Sequence, residues 1–127
     1  MKPTFKMLLA ALAGLAMGVL GTAAIYAQTK TPLGYLIADV DVTDQAGFQK
    51  YASQVPATMA PFGGHYIVRG GKVTSLEGDA PHRVVVTEFP SLEKAQAWYN
   101  SPAYSAIRPI RQAAAESRLF LVEGVTP

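Results

Sequence analysis

The chain of 127 residues has no cysteine, which removes disulfides, thiolate metal sites and cysteine nucleophiles together. Its stability must come from packing or assembly. Its two histidines, His65 and His82, border loops far apart in sequence, with no second histidine or carboxylate at a spacing such as H-x-x-x-H, so no metal is expected. No dense run of Lys and Arg marks a nucleic-acid surface. The pairs Gly63-Gly64 and Gly70-Gly71 do not follow a strand and open a helix, as a phosphate loop must, and read as turns. No cofactor is expected. Charge is wholly absent from residues 7–24, and that gap is the first positive signal.

Lys2 and Lys6, with no acid among them, precede the uncharged run, in the order of a secretory signal peptide. Small residues close it, and cleavage is expected after Ala27, with Ala24 the alternative. No twin arginine precedes the run and no cysteine follows it, which leaves a Sec-type route to the periplasm or the exterior. The competing reading is an uncleaved anchor, since the run approaches the roughly 18 residues of a spanning helix; only then would a membrane be a partner. Cleavage leaves 100 residues in which nine Lys and Arg balance nine Asp and Glu. A domain of this size buries only about 60 to 70 % of its unfolded surface and gains from a partner subunit.

Residues 28–33 form a short polar linker, and the folded domain is expected over 34–125. Strict alternation from Tyr35 to Val42 predicts a strand with Leu36, Ala38, Val40 and Val42 on one face and Tyr35, Ile37, Asp39 and Asp41 on the other. Thr43 reads as the N-cap of an amphipathic helix carrying Phe48, Tyr51, Ala52, Val55 and Met59, with Pro56 kinking or restarting it. Strands follow at 65–69 and 72–76, joined at Gly70-Gly71 as a hairpin. The β-branched run 83–89 predicts a central strand, and Ser91 caps a helix through Asn100. Ser101-Pro102 opens another helical segment, which Pro109 divides, and 118–125 forms the last strand. The order predicts an α+β, ferredoxin-like split βαβ sandwich, β-α-β-β-α-β with an extra hairpin strand and both helices on one face. The opposite face carries Tyr35, Ile37, Ile67 and Val85 or their neighbours, too apolar for water, and a second copy could cover it.

Gly63-Gly64, Ile67-Val68-Arg69-Gly70-Gly71, Val84-Val85-Val86 leading into Glu88-Phe89-Pro90-Ser91, Trp98-Tyr99 with Ser101 and Tyr104, and Leu121-Val122-Glu123-Gly124 occur in an order that resembles the bacterial family called domain of unknown function 1330. The resemblance implies membership of the dimeric α/β-barrel group, hence a homodimer whose two sheets form a barrel. It implies no activity. Relatives in the wider group include cofactor-free monooxygenases, haem-degrading enzymes and lactone isomerases, an analogy at the level of fold.

Two constellations carry candidate chemistry. Arg69 and Glu88 are expected at the ends of neighbouring strands, where the guanidinium could hold a substrate carboxylate bidentately while Glu88 moves a proton, or where the two form an ion pair securing the strand ends. Tyr99, Tyr104, Arg108 and Arg111 form the second, with 104, 108 and 111 on one helical face. Phenols beside arginines suit an aromatic or enolic acid, but equally cover a dimer seam. The candidate catalytic residues are thus Glu88, Arg69 and Tyr99, and the ligand-binding ones Tyr104, Arg108, Arg111 and Tyr51. Trp98 reads as core packing. Two functions compete: a cofactor-independent enzyme acting on a small acidic or aromatic molecule, and a non-catalytic periplasmic small-ligand-binding or structural dimer.

Overall fold

The computed structural model describes residues 31–127. The expected leader and residues 28–30 of the linker lie outside them. The described chain folds as β1 (Gly34–Val42), α1 (Gln45–Ala52), α2 (Val55–Met59), a 3₁₀ turn (Ala60–Phe62), β2 (His65–Arg69), β3 (Val84–Phe89), α3 (Leu92–Tyr99), α4 (Pro102–Ala114) and β4 (Ala115–Glu123). All neighbouring strands are antiparallel, in the order β2-β3-β1-β4.

Registers fix the faces. Leu36 faces Thr87 and Leu121 across the two ladders, and Ala38 faces Val85 and Leu119. These residues meet the helices, whose buried stripe comprises Phe48, Tyr51, Val55, Met59, Ala95, Trp98, Tyr104, Ile107 and Ala114. The other face presents Ile37 opposite Val86 and Phe120, with Tyr35 opposite Val122. Val85 therefore points to the helices, and its neighbours Val84 and Val86 occupy the open face. A run of three valines has no alternation from which to read parity; Thr87 and Phe89, both buried, supply it.

Three local expectations are corrected, and that for Pro56 resolves to one of its two alternatives. Asp44, rather than Thr43, caps α1 by accepting from the Gly47 amide at 3.2 Å, while the Thr43 hydroxyl donates to the Ala114 carbonyl. Pro56 starts a new helix, α2, in its first turn. Pro109 divides nothing: α4 runs through it, because the proline is exposed and the hydrogen bond it forgoes lies on the solvent side, while Ile107, Arg111 and Ala114 pack on the buried side.

The third correction concerns the hairpin. Residues 72–76 form no strand, and β2 pairs with β3 across the loop 70–83. Of the glycine pair, Gly70 adopts a positive φ (66°). Its N–H donates to the Val84 carbonyl at 2.8 Å, and Leu76 is left 90 % exposed. The sheet thus has four strands and no extra hairpin strand.

Candidate functional site: an arginine-lined cavity between helices and sheet

Between the helices and the inner sheet face lies a cavity of about 50 Å³, lined by Tyr51, Tyr66, Arg69, Arg83, Thr87, Trp98 and Arg111 among apolar residues that include Leu36, Phe48 and Val85. Three of its lining residues are arginines and none is a carboxylate. Among the described residues, none of the three lies within ion-pair distance of an acid.

The arginines come from three elements. Arg111 stands on the buried stripe of α4 and is only 6 % exposed, with its guanidinium 5.9 Å from the centre of the Tyr51 ring. Its Nε is buried without a hydrogen-bond partner. Arg83 enters just ahead of β3, in phase with Val85 and Thr87, and stacks 5.6 Å from the Phe48 ring centre; its Nε is likewise buried and unpartnered. Arg69 ends β2, exposed at the cavity mouth, 5.2 Å from the centre of the Tyr66 ring. A buried donor without a partner costs free energy, so two around one cavity call for an acceptor there.

Gly70 makes room for Arg83. A Cβ built on it would stand 2.4 Å from Arg83 Nη1, and its φ of 66° strains any side chain. Gly70→Ala should destabilise the domain by about 1–2 kcal/mol and displace the Arg83 guanidinium, which urea unfolding and ligand titration would read separately.

A tyrosine pair closes the cavity floor. The hydroxyls of Tyr51 and Tyr104 are 2.7 Å apart and buried, and the Tyr104 ring lies 4.1 Å, centre to centre, from Trp98. Burial raises the Tyr51 pKa, reinforced by the proximity of Tyr104 and their shared hydrogen bond and opposed by Arg111. Burial also raises that of Tyr66, against the pull of Arg69. Both are neutral donors at physiological pH. In the unfolded chain they ionise at about pH 10, so their contribution to stability is complete below that value and is lost as the pH rises above it. Urea midpoints should fall steadily above about pH 10. Tyr51→Phe should flatten that slope, from a starting point about 1 kcal/mol lower because Tyr104 loses its partner.

The expected constellations are only partly assembled. Arg69 and Glu88 do not pair: Arg69 faces Val85 on the helix side, whereas Glu88 lies on the open face with its carboxylate 3.5 Å from His65 Nε2. The antiparallel register sets His65 opposite Glu88 and Arg69 at the other end of the ladder, and a β-bulge between Tyr66 and Val68 turns Arg69 to the helix side. Glu88 alternates with the buried Thr87 and Phe89 of β3 and so faces away from the cavity. Tyr99 and Arg108 also stand apart from it. The Arg108 guanidinium lies 4.1 Å from the Tyr99 ring centre and donates to the Tyr99 carbonyl, so it clamps the α3–α4 corner. On α4 the buried stripe is 104, 107, 111 and 114, and position 108 falls at its edge. Tyr104 and Tyr51 meet through their hydroxyls, Tyr51 and Arg111 line the cavity, and the Tyr104 ring is buried between those of Trp98 and Tyr99.

Arg83, Tyr66, Thr87 and Trp98 are cavity residues that the sequence pattern did not single out. Arg83 was legible in principle, two residues before the inward Val85. Trp98 reads as core and is so, with its Nε1 donating to Thr58 Oγ1 at 3.0 Å, while one edge also borders the void.

A four-stranded antiparallel sheet in this order, with helices on one face, defines a ferredoxin-like α+β protein with a mainly apolar interior cavity that three arginines border. The chain belongs to the family described as Domain of unknown function (DUF1330), whose model matches residues 33–125. Similar solved structures include a protein of unknown function from Rhodopseudomonas palustris, 19 % identical with a TM-score of 0.64 over 82 % of this chain and 94 % of that one. SnoaB, a cofactor-independent oxygenase from Streptomyces nogalater, is 13 % identical with a TM-score of 0.52 over 76 % and 97 %. At these identities the likeness is one of fold. None of the curated proteins matches the chain.

Proposed function

We propose that the protein is an exported homodimer that binds a small organic anion in the cavity between its helices and sheet. The observation that carries this reading is the group of Arg69, Arg83 and Arg111 around one void with no carboxylate among its lining residues. Two of these side chains have buried, unpartnered Nε atoms. A ligand carboxylate would supply both the missing charge and the missing acceptor, with charge-assisted hydrogen bonds stronger than neutral ones. The cavity has room for only a few waters, so it takes the head of a ligand rather than a whole aromatic acid.

A second reading, a cofactor-independent enzyme, draws on the same residues. Arginines and neutral phenols stabilise an enolate or similar oxyanion, and SnoaB shares the fold. With Glu88 on the other face, no carboxylate or histidine lines the cavity to act as base, so such a substrate would have to ionise unaided. Thermal-shift and calorimetric titrations of the mature protein with small carboxylates, enolic acids and phosphate test the binding reading. Stabilisation lost in Arg69→Ala supports it, and the absence of any stabilisation at millimolar concentration overturns it. Chemical change in a bound acid would decide for the enzyme.

The dimer is supported by the open sheet face, where Ile67, Val68, Phe120 and Val122 are 39–49 % exposed beside Ile37, Val84 and Val86. A contiguous apolar surface of this kind marks an interface. Sedimentation should give twice the protomer mass at micromolar concentration, and Phe120→Glu should halve it. Export is supported by residues 1–27 alone, and N-terminal sequencing of the mature protein tests it.

A further inference from the structure

Resting on the anion reading of the cavity, a second feature narrows the ligand. The inner cavity shares Val40, Phe48 and Arg83 with an outer groove of about 260 Å³, whose other lining residues are Val42, Gln45, Gln49 and His82. Arg83 and Phe48, stacked on each other, stand between the two spaces. The inner space holds only an anionic head, so the remainder of any larger ligand that passes Arg83 lies in the groove.

The walls of the groove differ from those of the cavity. Gln45 and Gln49 project from exposed positions of α1, and His82 sits at the rim, its backbone N–H donating to Asp39 at 2.8 Å and its ring 3.6–3.7 Å from the Asp39 and Asp41 carboxylates. The groove's own lining contains no acid. An alkyl tail placed here would bury little apolar surface and would desolvate the glutamine amides without satisfying them. A hydroxyl or a second carboxylate would bond to those amides at the cost only of exchanging water.

We propose that the ligand is a short acid polar at both ends, a dicarboxylate or hydroxyacid, with one carboxylate on Arg111 and Arg83 inside the cavity and its far polar group on Gln45 and Gln49 in the groove. The site thereby rejects fatty and simple aromatic acids of similar length.

Calorimetric titration of the mature protein with succinate, γ-hydroxybutyrate and butyrate tests this directly. Both polar-ended acids should bind about tenfold or more tightly than butyrate. In the double variant Gln45→Leu, Gln49→Leu the preference should collapse; both positions are exposed, so the fold is preserved, and its melting temperature checks this. Butyrate binding as tightly as succinate overturns the proposal and leaves the anion reading standing. Tight binding of succinate with γ-hydroxybutyrate as weak as butyrate also overturns it, because total charge would then be the discriminator. A preference undiminished in the double variant removes the groove from the site. Failure of all three acids, together with acetate, to bind overturns the anion reading itself.

Discussion

Trp98→Ala should lower the free energy of unfolding by about 3–5 kcal/mol, the range for deleting a large buried aromatic. Trp98 is 1 % exposed, and its ring packs 4.1 Å from the centre of Tyr104 and 5.5 Å from that of Phe89. It therefore links α3 to α4 and to the end of β3. Its Nε1–H also donates to Thr58 Oγ1, which itself donates to the Val55 carbonyl at 2.7 Å and so ties α2 into the same cluster. Truncation would leave a void among four elements and remove a buried donor from Thr58 Oγ1. For a domain of this size each kcal/mol is worth about 4–8 °C, so the melting temperature should fall by some 15–30 °C. Trp98→Phe keeps most of the volume and loses only the N–H, and should cost a fraction of that.

Arg111→Met should behave in the opposite manner. The side chain is buried, its Nε has no partner, no acid among the described residues lies within ion-pair distance of it, and only neutral phenols, Tyr104 foremost, favour its charge. Burying a charge without compensation is expensive, and an apolar residue of similar shape is commonly neutral or stabilising in its place. Thermal stability should therefore hold or rise. Anion affinity should fall by about 2–5 kcal/mol, thirtyfold or more, as expected when one partner of a buried charged contact is removed. A residue kept against stability and needed for binding is the signature of function traded against fold. A large loss of stability with binding intact would make Arg111 a structural residue.

Much of the fold was legible in the sequence because period-2 alternation in β1 and β4 and capped, proline-marked helix starts at Ser91 and Ser101-Pro102 are local signals that tertiary packing reinforces. The site was less so. Its composition rests on parity, which alternation conveys only when apolar and polar residues take turns. In Val84-Val85-Val86 they do not, and in β2 the bulge after Tyr66 reverses the phase, so Arg69 turns inward, while Glu88 faces outward between the buried Thr87 and Phe89. Arg69 and Glu88 do not pair because the antiparallel register sets His65 opposite Glu88 and Arg69 opposite Val85, at the other end of the ladder. On α4 the helical period places Arg111 in the cavity lining, whereas Arg108 lies about 60° further round, at the rim of the stripe, where the Tyr99 carbonyl and ring hold it. The loop 70–83 carried a strand-like pattern at 72–76 with no neighbouring strand to satisfy it.

The claim that an anion belongs among Arg69, Arg83 and Arg111 is tested most directly by anomalous diffraction from crystals of the mature protein soaked in bromide, an anion small enough for the void. A bromine peak within hydrogen-bonding reach of the Arg111 and Arg83 guanidinium groups, displaced when succinate is added, is the expected result. Bromide found only on the outer surface, with the cavity dry or filled by water, would contradict it.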